Sequence, residues 1–169
     1  LGLNKNIINA KMNKCIFKKK ITFKLKNMYH PSINKPIKNS INMNKNIIIT
    51  GPNAAGKTTT IKATIINLLL TQQIGVGFFD KCDTSTFDYI HCYLNIPDSC
   101  SRDSLFQAEA RRCKNILDSI IKYPNKRHFC IFDELYSGTN PYEAIGSAAS
   151  FLGFLNKYKN IKYILTTHF

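Results

Sequence analysis

No acidic side chain occurs in the first 79 residues. Up to Asp80 the chain carries 13 lysines and no arginine, a net charge of +13, whereas from Asp80 onward 11 basic and 10 acidic residues nearly cancel. A half this one-sided points to a nucleic-acid or phosphate partner, or to codon bias. The 169 residues hold 20 Lys, 18 Asn and 23 Ile against 4 Arg. That is the signature of an AT-rich genome, such as that of a large DNA virus or a protist, so the charge alone carries no function here. No run of about 18 apolar residues exists, which excludes a transmembrane helix. The first 20 residues lack an apolar block, which argues against a secretory signal. The six cysteines form no CxxC pair and no His-x-x-x-His accompanies them, which argues against zinc. At this size disulfides are not needed, so they read as reduced thiols of an intracellular protein, nuclear or cytoplasmic.

What remains is ordinary globular composition, 44% hydrophobic and 20% charged, with enough length for one domain and a real core. The chain has no initiator Met and ends on a strand-like run, so a piece of a longer polypeptide is expected. Residues 1–20 are weakly patterned. Ile21 to Lys26 alternates apolar and polar, as a half-buried strand does. His30-Pro31 and Lys35-Pro36 mark turns. Asn46 to Thr50 reads as a fully buried strand. A helix follows from about Lys57 to Leu70, with Ile61, Ile65, Leu68 and Leu69 on one face. Residues 75–100 show no clear period and suggest one or two strands. Ser104 to Gln107 has the form of a capping box opening a helix to Ile121. His128 to Phe132 is a second buried strand, Tyr142 to Lys157 a third helix, and Tyr163 to Thr166 a further strand. This alternation predicts an α/β domain with a largely parallel sheet.

Two motifs carry chemistry. Gly51, Pro52, Asn53, Ala54, Ala55, Gly56, Lys57 and Thr58 match G-x-x-x-x-G-K-[ST], between a strand and a helix, the context the motif requires. Such a loop curls backbone N–H groups toward phosphate oxygens at a helix N-terminus. Together with Thr59 these residues are the expected nucleotide-binding set. Lys57 is expected to reach the β- and γ-phosphates, and Thr58 to hold Mg²⁺. The second motif is Asp133-Glu134, at the end of a buried strand. A carboxylate at such a tip sits beside the phosphate loop of a parallel sheet. Asp133 is expected to bind Mg²⁺, and Glu134 to orient or deprotonate the attacking water.

Together with these, Ser104-Leu105-Phe106-Gln107-Ala108-Glu109, Asp133 to Thr139 and Thr167-His168-Phe169 resemble the ATPase domain of MutS-type DNA mismatch-repair proteins. The likeness covers roughly residues 30–169. It implies a P-loop NTPase fold of the ABC-type ATPase class and a division into a basic N-terminal segment, 1–28, and an ATPase domain, 29–169, cut at its C-terminal end. It also implies ATP and Mg²⁺ as ligands and a homo- or heterodimer with composite sites. DNA would be held by regions outside these residues, and no membrane is involved. Ser104 then acts in trans on the partner's ATP, and Ser137 to Asn140 resembles the loop that crosses the dimer interface. His168 resembles the switch histidine at the γ-phosphate. Phe106 and Glu109 match as packing or network residues, and His30-Pro31 as a turn before the nucleotide pocket.

The sequence departs from that family in three places. Pro36 to Ile41 lacks the usual aromatic ring, which leaves Pro36 or Ile37 to carry adenine. Ala54-Ala55 replaces a larger-small pair, and Glu143 stands where aspartate is usual. The alternatives are another ABC-type ATPase, either SMC-like or a transporter subunit, and a non-hydrolysing nucleotide-dependent dimerisation module. Neither an LSGGQ sequence nor a heptad coiled coil is present, and Glu134 argues against the non-hydrolysing form.

Overall fold

The computed structural model describes residues 11–94 and 105–168. In chain order its strands are β1 (Asn13–Phe17), β2 (Phe23–Met28), β3 (Asn39–Asn42), β4 (Ile47–Thr50), β5 (Val76–Gly77), β6 (Lys81–Thr84), β7 (Tyr89–Tyr93), β8 (His128–Asp133) and β9 (Ile161–Thr167). The helices are α1 (Lys57–Ile74), α2 (Leu105–Lys122) and α3 (Pro141–Leu155). They fall into two units. The described part of the first is 11–45 and 56–86, and that of the second is 46–55, 87–94 and 105–168.

In the first unit a mixed five-stranded sheet runs in the order β3-β2-β6-β1-β5. The alternation in β2 is the one expected, with Phe23 and Leu25 buried and Lys24 and Lys26 exposed. Asn27 (φ +53°) bulges the strand and returns Met28 to the buried face. The weakly patterned N-terminal region also supplies a strand, β1, paired parallel to β6.

The buried face of α1 differs from the expected apolar stripe. Ile61, Ile65 and Leu68 are buried, but Leu69 is 40% exposed, and Thr64, Asn67 and Thr71 are fully buried instead. These polar groups are tolerated because they are bonded. Thr64 and Thr71 donate to the carbonyls of Thr60 and Asn67, four residues back, both at 2.8 Å. Asn67 Nδ2 donates to the Ala63 and Tyr29 carbonyls, and its Oδ1 accepts from Phe78 N at 2.6 Å. A buried polar side chain costs little once its partners are made.

The second unit holds a wholly parallel four-stranded sheet, in the order β4-β9-β8-β7. Phe129 to Phe132 are completely buried, as a central parallel strand requires. The reading of β4 as fully buried is corrected. Among the described residues it pairs only with β9, and Ile48 on this edge is 54% exposed. The core is aromatic. Phe132 packs edge-on to Phe151 of α3 at 5.3 Å and near Tyr93 and Tyr163, with Ile116 and Ile120 of α2 in the same cluster. Each such buried side chain contributes about 1.5–3 kcal/mol. In the region without a period, 75–100, the described residues 75–94 contain three short strands, β5, β6 and β7, shared between the two units. Strands of two to five residues are too short to print a period. The five described cysteines are free thiols.

Candidate functional site

The parallel sheet sets its strand tips side by side. Thr50 pairs with Thr167, and Asp133 with Thr166. The C-terminal ends of β4, β8 and β9 therefore form one edge, the end of an open parallel sheet at which ligands bind.

Thr166 organises that edge. It is fully buried, and its Oγ1 donates to Asp133 Oδ1 at 2.5 Å. Both its carbonyl and its Oγ1 lie 3.2 Å from Glu134 N, which donates to them. His168, two residues along, completes the group, with its Nε2 2.5 Å from Glu134 Oε1. One unpredicted threonine thus joins Asp133 to the Glu134 backbone, and His168 meets the Glu134 carboxylate directly. Its signal in the sequence was faint: a hydroxyl at the last buried position of an apolar strand.

The glycine-rich loop leaves β4 directly. Ala54 has φ +61°, and Ala55 N donates to the Pro52 carbonyl at 3.4 Å. Gly56 stands at the N-cap of α1 in the left-handed region (φ +88°, ψ +13°), where a Cβ costs about 1–2 kcal/mol. It brings no side chain to cap the first turn, and no acid lies there. Lys57, Thr58 and Thr59 are the first three helical residues, and Lys57 is buried. A helix start of this kind favours an anion. Ala54, Glu134 and Tyr136 are all non-glycine residues with positive φ. Strain of this sort collects at functional loops.

The loop after β8 is tied to α2. Glu109 is 2% exposed and sits on the helix face it shares with Cys113, Ile116 and Ile120. Its carboxylate accepts from Ser137 N (3.0 Å), Ser137 Oγ (2.9 Å) and Gly138 N (3.1 Å). Three donors on one carboxylate offset its burial. The contact is close enough that a Cβ on Gly138 would meet Leu105 Cγ at 2.7 Å and Phe106 N at 2.9 Å. Tyr136 N donates to the Tyr93 hydroxyl at 3.3 Å, a phenol raised far above its usual range chiefly by burial. Asn140 then caps α3, its side chain accepting from Glu143 N at 3.0 Å. Thr139 Oγ1 donates to Glu143 Oε2 at 2.5 Å, so the glutamate in the usual aspartate position is engaged.

Ser104 and Phe169 lie outside the described residues, and with Ser104 goes the capping box. In the first unit, Pro36 and Ile37 fall between β2 and β3, with Ile37 85% exposed. The His30-Pro31 turn is present, Ser32 N donating to His30 Nδ1 at 3.2 Å.

The fold is mixed α/β, and Asp133, Glu134, Thr166 and His168 gather at the C-terminal ends of the second unit's parallel sheet. Residues 47–169 match the family model of MutS domain V, and the chain belongs to the MutS family. Among curated relatives are the Endonuclease MutS2 proteins of Staphylococcus aureus strains bovine RF122 / ET3-1, JH9 and Mu50 / ATCC 700699. Each is 32% identical over 167 residues, covering 95% of this chain. The chain spans 21% of the length of these relatives. They are bacterial and lend no support to a viral or protist source. No helix among the described residues is long and apolar enough to cross a membrane.

Proposed function

We propose that this chain is the ATP-binding and ATP-hydrolysing domain of a MutS-like DNA mismatch-repair or DNA-processing protein, with the P-loop fold of the ABC-type ATPase class. The observation that carries the reading is the linked group Asp133–Thr166–Glu134–His168 at the tips of β8 and β9. It lies in the same parallel sheet as the strand that feeds the glycine-rich motif. Gly51 to Thr59 supply the phosphate-binding residues, and Lys57 places a positive charge on the β- and γ-phosphates.

The donor set suits Mg²⁺. The Thr58 hydroxyl and the Asp133 carboxylate are hard oxygen donors, and the 2.5 Å bond from Thr166 orients the Asp133 carboxylate as a ligating group requires. When bound, the ion neutralises charge on the phosphate oxygens. Glu134 accepts a proton from water as the water oxygen bonds to the γ-phosphorus. The bond from that phosphorus to the β-bridging oxygen breaks, releasing ADP and phosphate. His168 Nε2 donates a hydrogen bond, to Glu134 as seen here or to a γ-phosphate oxygen when one is present. Exposed Ile37, with Pro36, offers an apolar surface to adenine.

In this reading the active form is a homo- or heterodimer. Ser104, the residue before α2 in sequence, acts on the partner's nucleotide, and Ser137 to Asn140 meets the partner. Glu109 ties those two elements together. The principal DNA-binding regions lie outside this chain, and nucleotide-driven closure is transmitted to them.

Equilibrium binding of Mg-ATP to the chain and to Lys57→Ala tests the reading. Binding that is saturable in the parent and lost or severely weakened in the variant is expected. Equal affinity in both would remove the phosphate-loop assignment.

A further inference from the structure

The outer face of the first unit's sheet carries a second candidate interaction surface, independent of the ATP reading. Strand alternation sends Phe23, Leu25 and Cys82 inward and Lys24, Lys26, Lys81 and Asp83 outward. Lys14 and Ile16 flank Cys15, which pairs with Cys82, so they share the outer face. Four lysines thus stand on one face against one carboxylate, Asp83, whose Oδ1 is buried without a hydrogen-bond partner. Lys24 lies opposite Asp83 on one side and Asn42 on the other.

Lys26 is directly opposite Lys81. A like-charged cross-strand pair is destabilising; Asp80 attracts Lys26, but less than it attracts Lys38. Asp80 is held by Asn27 Nδ2 at 2.7 Å and Lys38 Nζ at 3.1 Å. These lysines line a cleft of about 330 Å³ with Leu25, Ser40, Ile41, Asn42 and Asp83. The Asn42 amide and the Ser40 hydroxyl lie beside the three lysines in this lining and can donate to phosphate oxygens, while the Asp83 carboxylate opposes an anion. Lys24 and Lys26 are two residues apart, roughly 6.8 Å along the strand. The cations therefore form a row, which matches a repeating polyanion better than a single phosphate.

We propose that this face, centred on Lys24, Lys26 and Lys81, binds the phosphate backbone of duplex DNA. The contact is electrostatic and reads no sequence, because none of these groups is presented for base edges. It relieves the repulsion between Lys26 and Lys81 while releasing counterions from the duplex.

The test is fluorescence anisotropy of a labelled duplex of about 30 base pairs with the whole chain, over roughly 50–300 mM KCl, spanning the range where counterion release dominates. Two variants remove the same charge: Lys24→Gln/Lys26→Gln/Lys81→Gln, and Lys18→Gln/Lys19→Gln/Lys20→Gln in the exposed turn after β1. All six side chains are exposed, and circular dichroism melting checks that both variants fold. The sheet-face variant should lose about tenfold or more in affinity and flatten the slope of log K against log salt by about 2–3 units. The turn variant should stay close to the parent. Equal losses in the two variants would mean diffuse charge and no site, and would overturn the proposal. So would no binding by the parent at the lowest salt, or binding to phosphatidylserine-containing vesicles in place of DNA. Failure here leaves the ATP reading intact, since Lys57 binding is measured without DNA.

Discussion

His168 Nε2 lies 2.5 Å from Glu134 Oε1, at the tips of two neighbouring parallel strands. A carboxylate only accepts and an imidazole N–H donates, so the histidine holds one oxygen of the proposed base. In the proposed mechanism the same N–H serves the γ-phosphate, and Glu134 is released to water when it does.

Substituting His168→Ala therefore removes a donor that acts on developing charge. Turnover should fall by about 10²-fold, the scale of losing one such donor, with Mg-ATP affinity changed little. Steady-state kinetics alongside equilibrium binding check the split. Unchanged turnover would make the 2.5 Å contact structural only.

The Glu109 tie makes a stability prediction that does not depend on ATP. A Cβ at Gly138 would lie 2.9 Å from a backbone nitrogen, Phe106 N, which cannot rotate away. Gly138→Ala should cost about 1–3 kcal/mol, the usual scale of overpacking. Hydrogen exchange should quicken at Ser137 and Gly138, whose N–H groups bond Glu109. Denaturant melts that overlay the parent would contradict the close approach.

A histidine pair on β7 and β8, away from the strand tips, predicts pH dependence. His128 is fully buried and its Nε2 lies 3.0 Å from the Tyr123 carbonyl, which only accepts, so that nitrogen carries the proton. Its Nδ1 lies 3.0 Å from His91 Nε2. Burial, followed by the neighbouring His128 and Arg112 charges, pushes His91 down to about 4. Its unfolded value is about 6.5. Between these two values the unfolded chain binds a proton that the folded chain refuses, so stability falls as pH is lowered from about 6.5 to 4. After allowance for solvent screening the loss is about 1–2 kcal/mol. Urea unfolding at several pH values reads it. His91→Phe, with a lower starting stability, should show a flatter profile in that window, and an equally steep one would assign the effect elsewhere.

The legible parts of this sequence were those where spacing and chemistry coincide. The glycine-rich motif was visible because it sits between an apolar β-branched run and a helix, and Asp133-Glu134 because acids end a wholly apolar strand. The buried face of α1 was not legible. Thr64, Asn67 and Thr71 occupy it by bonding to nearby carbonyls, while Leu69 lies outside. Hydrophobic periodicity is blind to a polar residue that satisfies itself. The edge position of β4 was hidden for another reason. Ile47-Ile48-Ile49 reads alike on a central and an edge strand, because pairing is decided by residues more than 100 positions away in β9. Glu109 entered only by resemblance, though a carboxylate in the 109–113–116–120 stripe was itself a physical signal of buried, multiply bonded charge. Thr166 was missed because a threonine ending a strand is common.

The most direct test of hydrolysis is single-turnover ATP cleavage by Glu134→Gln beside the parent, with Mg²⁺ present and ATP binding measured on the same samples. The glutamine keeps the shape and the hydrogen bond to His168 in altered form, but cannot take a proton. Cleavage slower by about 10²–10⁴-fold, the usual scale of a general base, with ATP still bound, is the expected result. Cleavage at the parent rate would show that Glu134 is not the base and that the Glu134–His168 pair has no part in the chemistry.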